Sequence, residues 1–245
     1  LSKGTPPTHT PGKQKGKAQV SGREMAVRLR TANKRTTSQQ KWLQRQLNDP
    51  YVARAKAEGW RSRAAFKFIE IDDRYKMLRP GQRIIDLGCA PGGWAQVAAQ
   101  RVKSTETKPL VVGIDLLPVD PIPGVILLEM DFMLPEADEK LREALGGPAD
   151  GVLSDMAANT TGHKKTDHLR IIGLAEAAVA FAREVLAPGG FFLCKLFQGG
   201  DTATLVTELK RDFATVRHVK PGASRSDSSE LYVLAMGFRG GKANE

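Results

Sequence analysis

Cysteine is nearly absent from this chain of 245 residues: Cys89 and Cys194 are the only two, each inside an apolar run. A disulfide framework is excluded, and a reducing compartment is expected. The four histidines, His9, His163, His168 and His218, are scattered without metal-ligand spacing, so no metal is expected. No apolar run approaches the roughly 18 residues that span a bilayer, and the first residues are polar rather than signal-like. These absences predict a cytoplasmic protein with no membrane partner, monomeric by default. Acidic side chains are scarce at one end only. Residues 1–65 hold 3 of them against 15 Lys and Arg, whereas residues 66–245 hold 24 against 22. The formal charge of +10 therefore belongs to an N-terminal arm, and such an arm on a near-neutral domain suits a polyanion, nucleic acid before an anionic membrane. The plainer reading is a solubilising tail.

What is present has a clear order. Residues 1–22 are rich in Pro, Gly, Lys and Thr with few large apolar side chains and open a basic arm, residues 1–40, that reads as disordered. Residues 41–245 read as one domain with an N-terminal helical extension. Residues 23–50 form a marginal helix with a basic face. Phe66, Ile69, Asp73 and Met77 recur at helical spacing before Pro80-Gly81 closes that segment. Beyond it, strand patterns at 83–87, 110–115, 125–129, 151–154, 190–196, 215–219 and 231–237 alternate with helical patterns at 93–102, 135–145, 166–186 and 201–212. The prediction is an α/β fold: a seven-stranded, mostly parallel, doubly wound sheet with helices on both faces and ligands beyond the strands' carboxyl ends. The last two strands are joined by a short link, so the final one is free to enter antiparallel.

The stretch "DLGCAPGGWAQ", Asp86 to Gln96, runs from strand end to helix start. Glycines there let backbone approach a ligand, and a helix N-terminus invites phosphate. The spacing is wrong for a dinucleotide fingerprint, and the Lys and Ser/Thr of a Walker A loop are missing. What remains is a turn for a small organic ligand at Gly92, capped by the indole of Trp94. Asp115, ending the next strand, is placed to accept hydrogen bonds from ribose hydroxyls, and Asp131, after the third, to meet an adenine amino group. Ribose and adenine without a pyrophosphate cradle describe S-adenosylmethionine. The competing reading is that an Asp at a strand end caps the following helix.

Together "DLGCAPGGWAQ", "GIDLLP", "MDF", "LSDMAAN", "DHLR" and "CKLFQG" resemble the FtsJ/RrmJ (RlmE) family of ribose 2′-O-methyltransferases, which act on bacterial large-subunit ribosomal RNA. The likeness runs from about Ser62 to Phe238 and leaves residues 1–40 outside. It implies a Rossmann-like, S-adenosyl-L-methionine-dependent methyltransferase with a catalytic tetrad Lys67, Asp155, Lys195 and Glu230. It implies cofactor contacts from Gly92, Trp94, Asp115, Asp131 and Asp155. It also implies RNA as partner, as free large-subunit rRNA or the assembled subunit. Ala158 stands where the family usually shows proline, which leaves the loop after Asp155 open in shape.

The tetrad also makes chemical sense by itself. A ribose 2′-hydroxyl is a poor nucleophile, so its methylation needs in-line placement and a proton acceptor. Lys195 lies in the apolar run "GGFFLCKLF", where a lysine is rare unless paired. Asp155 is expected to position Lys195, Lys67 to orient the hydroxyl, and Glu230 to hold the lysines. Snorkelling for Lys67 and a plain surface charge for Glu230 are the bland alternatives. Other chemistries lack their residues. After the fourth strand there is no aromatic N/D-P-P-Y run for amine methylation, no cysteine nucleophile for cytosine-carbon methylation, and no metal cluster. A tRNA or cap ribose methyltransferase, or a non-catalytic RNA-binding assembly factor, remains as the alternative.

Overall fold

A computed structural model describes residues 36–157, 164–197, 202–225 and 228–240. The chain divides into two compact units, Leu1–Asn48 and Asp49–Glu245. Of the first unit, helix α1 (Thr37–Leu47) is described, inside the segment read as a marginal helix. The arm before residue 36, and Ala158, lie outside the described residues.

The second unit opens with α2 (Pro50–Glu58), which the periodicity did not predict. Its signals are at its ends. Asp49 accepts a hydrogen bond from Tyr51 N at 3.0 Å as N-cap, Pro50 fits the first helical position, and Gly59 closes the helix in the left-handed region. Then follow α3 (Ala64–Tyr75), β1 (Ile84–Leu87), α4 (Gly93–Val102), β2 (Val111–Asp115), β3 (Val125–Glu129), α5 (Ala137–Leu145) and β4 (Ala149–Ser154). The order ends with α6 (Lys164–Val185), β5 (Leu186–Phe197), α7 (Ala203–Asp212), β6 (Phe213–Val219) and β7 (Glu230–Phe238). Every predicted strand is present, with β5 beginning four residues early.

The sheet order is β3-β2-β1-β4-β5-β7-β6, parallel except for β7, which pairs antiparallel with β5 on one side and β6 on the other. Two cores result. Ile85, Leu87, Val112, Ile114 and Val152 face α5, α6 and α7, while Ile84, Val111, Leu153, Leu193, Tyr232 and Leu234 face α3 and α4. The period of two along each strand makes this division, and it also sorts the functional side chains.

Candidate active site

Strand alternation places Asp86 on the face of Ile84, Asp115 on that of Val111, Asp155 on that of Leu153, and Lys195 on that of Leu193. Glu230 and Tyr232 share the face of Leu234. All six therefore lie on the side covered by α3 and α4, near the carboxyl ends of the parallel strands. α3 brings Lys67 to the same place.

Four of them form two ion pairs. Lys195 Nζ lies 3.0 Å from Asp155 Oδ1 and donates to the Asp155 carbonyl at 2.5 Å. Lys67 Nζ lies 2.6 Å from Glu230 Oε2. Both lysines are buried, which answers the snorkelling alternative for Lys67. Burial works to raise the Glu230 carboxyl, but the hydrogen bond and charge of Lys67, helped by Lys195 and Ser228, outweigh it and hold Glu230 below the usual glutamate range.

Tyr232 joins the pairs, and sequence reasoning missed it. Its hydroxyl donates to Asp155 Oδ1 at 3.3 Å, and its ring centroid lies 5.9 Å from Lys67 Nζ. Burial first, then the charges of Asp155 and Glu230, push the phenol well above its ordinary value, so it stays a donor. The available signal was its spacing, two residues beyond Glu230 on the same strand face.

Beside the pairs is a cavity of about 240 Å³. Gly88, Ala90, Asp115, Asp131, Met156 and Asp155 line it, with the exposed apolar side chains of Leu116, Leu117 and Met133 at its rim. Asp115 and Asp131 cap no helix. Asp115 Oδ2 accepts from Ala90 N at 2.8 Å and Oδ1 from Leu117 N at 2.9 Å, while Asp131 Oδ1 accepts from Met133 N at 2.9 Å. Each carboxylate oxygen so engaged keeps a second acceptor site. Gly88 is held at φ +74°, where a Cβ would lie 2.7 Å from Met156 Cγ. Only glycine lets the turn and the segment after β4 approach this closely.

Gly92, at φ +108°, is the N-cap residue before α4 and, without lining the cavity, fixes the turn by donating to Cys89 O at 2.6 Å. Arg61 braces the outside of the turn, donating to Asp120 O at 2.5 Å and Pro121 O at 2.6 Å. Trp94 differs from the expectation of an indole over the ligand. Its ring is buried, stacked on Phe68 at 4.9 Å, with Nε1 donating to Ala64 O at 2.9 Å, and it does not line the cavity. The first turn of α4 leans on α3, so the large ring gains more by entering that contact than by covering a polar cleft. The first N–H groups of α4, that of Trp94 among them, have no intrahelical partner.

A doubly wound sheet with an antiparallel strand inserted near one edge, and paired lysines and carboxylates beside a cleft at its carboxyl ends, defines a Rossmann-like group-transfer enzyme. The chain belongs to the FtsJ-like methyltransferase family, whose model matches residues 60–238. It is 66% identical over 219 residues to the ribosomal RNA large subunit methyltransferase E of Xanthobacter autotrophicus, covering 89% of this chain and 86% of that protein. Against the protein of the same name from Azorhizobium caulinodans it is 62% identical over 218 residues, 89% and 91% of the two chains. A crystal structure of a protein described as a ribosomal RNA methyltransferase, from Plasmodium falciparum, superposes with a TM-score of 0.66 at 34% identity, covering 74% of this chain and all of that one. Among the described residues no group of ligands could hold a metal, and no helix is long and apolar enough to cross a membrane.

Proposed function

We propose that the protein transfers a methyl group from S-adenosyl-L-methionine to a ribose 2′-hydroxyl of RNA, a uridine of bacterial large-subunit rRNA. One observation carries this reading: Asp155 both lines the ligand cavity and holds Lys195. Asp155 would thus face the donor while keeping the proton-accepting lysine in place.

The residues fit the donor. The free acceptor sites of Asp115 suit two ribose hydroxyls, the outer oxygen of Asp131 suits an adenine amino group, and the rim of Leu116, Leu117 and Met133 suits a flat heterocycle. Gly92 and the Trp94 amide form the turn that the methionine end approaches. When bound, the donor supplies an electrophilic methyl on a sulfonium. Lys67, fixed by Glu230, orients the 2′-oxygen, and Lys195 takes the 2′-proton as the new bond forms. Tyr232 and Lys195 share Asp155 Oδ1 and so hold that carboxylate still. The basic arm adds phosphate contacts.

The product gives the test. Alkaline cleavage of RNA uses the 2′-oxygen as nucleophile, so a methylated ribose leaves one resistant linkage. Incubating the protein with labelled donor and large-subunit rRNA, and separately with tRNA, is expected to give one gap in the rRNA hydrolysis ladder. Labelled RNA with an unbroken ladder overturns 2′-O-methylation, and a gap in tRNA alone transfers the substrate to that class.

A further inference from the structure

Asp86 has no part in the chemistry above. It sits near the end of β1, fully buried, and among the described residues neither of its carboxyl oxygens has a hydrogen-bond partner. Leaving a carboxylate this way is costly unless something offsets the charge. The Ala95 amide at the start of α4 faces it from outside hydrogen-bond geometry. The other groups around it are acidic or weakly so: Asp155 beyond β4, Asp115 at the end of β2, and the Cys89 thiol in the turn. Burial, then Asp155, then Asp115 push the Asp86 carboxyl well above its ordinary value, with Ala95 pulling weakly the other way. Asp155 and Asp115 also line the cavity, and strand alternation puts Asp86, which does not line it, on their side of the sheet two residues before Gly88.

The reaction changes the charge next to this group. Its donor is a sulfonium cation, and its demethylated product, S-adenosylhomocysteine, is the neutral thioether. We propose that Asp86 distinguishes donor from product by charge, giving its proton to solvent when the cation binds and regaining one when the thioether is left. The inference rests on S-adenosylmethionine being the donor. The orphaned carboxyl then has its countercharge in the cofactor. After transfer the thioether offers no countercharge, so the carboxyl regains its proton and the product is held less tightly than the donor.

Isothermal titration of the full-length protein with each ligand, between pH 6 and 8 and in two buffers of different ionisation enthalpy, tests this. Donor binding should release more protons than product binding, and the ratio of donor to product affinity should rise with pH, by at most about tenfold per unit. Lys195, Asp115 and the ligands' own amine and carboxyl groups are present in both titrations, so the ratio isolates what the sulfonium adds. Asp86→Asn should flatten the ratio against pH and lower it by about tenfold at pH 8, the scale of one partly buried charge pair. A wild-type ratio independent of pH, or an Asp86→Asn protein with the wild-type ratio and slope, overturns the proposal while the donor assignment stands. Failure of the wild type to bind either ligand overturns both. Should Asp86→Asn not fold, Asp86→Ser is titrated in its place with the same expected loss of slope, and a wild-type slope in that protein overturns the proposal.

Discussion

Replacing Glu230 with glutamine removes one charge from the Lys67 pair while keeping its shape. The Lys67 side chain is 10% exposed and that of Glu230 25%, with 2.6 Å between the charged atoms. Removing one partner of a fully buried pair costs about 3–5 kcal/mol, because the other charge is left uncompensated. A quarter-exposed carboxylate lets water make up part of that loss, and the amide oxygen still accepts from Lys67, so the expected cost is about 2 kcal/mol at pH 7. The sign with pH follows from the lowered carboxyl of Glu230. A group depressed on folding stabilises fully above its unfolded value, here the ordinary 4.5, and that contribution is lost as pH falls through the lower folded value. Urea titrations of wild type and Glu230→Gln should therefore differ at pH 7 and converge below pH 4.5. Turnover should fall while donor affinity holds, since Glu230 does not line the cavity. Equal urea midpoints at pH 7, or a gap that persists undiminished at pH 3, would refute the pairing argument.

Lys195→Met should lower single-turnover methylation by about a hundredfold or more, the scale of a lost general base, with donor binding by calorimetry nearly unchanged. Trp94→Ala should cost about 3–5 kcal/mol in denaturant melts, whereas Trp94→Phe, which keeps a ring on Phe68, should leave donor affinity at the wild-type value. A large affinity loss in Trp94→Phe would return the indole to the ligand. Deleting residues 1–40 should weaken RNA binding and flatten its dependence on salt, as fewer counterions are released, and an unchanged slope would leave the arm a solubilising tail.

The sheet was legible because its strands are short, apolar and punctuated by glycine, and because most helices between them carry a period near 3.6. α2 was not. Its nine residues, "PYVARAKAE", bury only Ala55, so its stability comes from its caps rather than from a core face. Asp115 and Asp131 could be found at strand ends, where open α/β sheets place ligands. The pairs could not be read from spacing. Lys67 and Glu230 are 163 positions apart, and Lys195 and Asp155 are 40 apart, so only the family resemblance joined them. Trp94 misled because glycine-rich turns draw attention to whatever follows them. Whether an indole there faces ligand or core is settled by where α3 packs, and nothing local in "GGWAQ" contains that.

The antiparallel entry of β7 has a chemical result. In a parallel sheet every strand ends at the functional edge, so a strand can offer that edge only its last residues. β7 runs the other way, and its first residue therefore arrives where its neighbours finish: Glu230 pairs with Phe197 at the end of β5, and Tyr232 with Lys195. Had β7 been parallel, nine residues at about 3.3 Å each would have carried Glu230 about 30 Å away, to the opposite edge. Lys67 would then be buried without a countercharge and Asp155 without its phenol. The reversal follows from the connection between β6 and β7, only ten residues from Lys220 to Ser229, too short for the dozen or more that a parallel crossover needs. The brevity of one loop thus decides the direction of the last strand, and the direction of that strand completes the site.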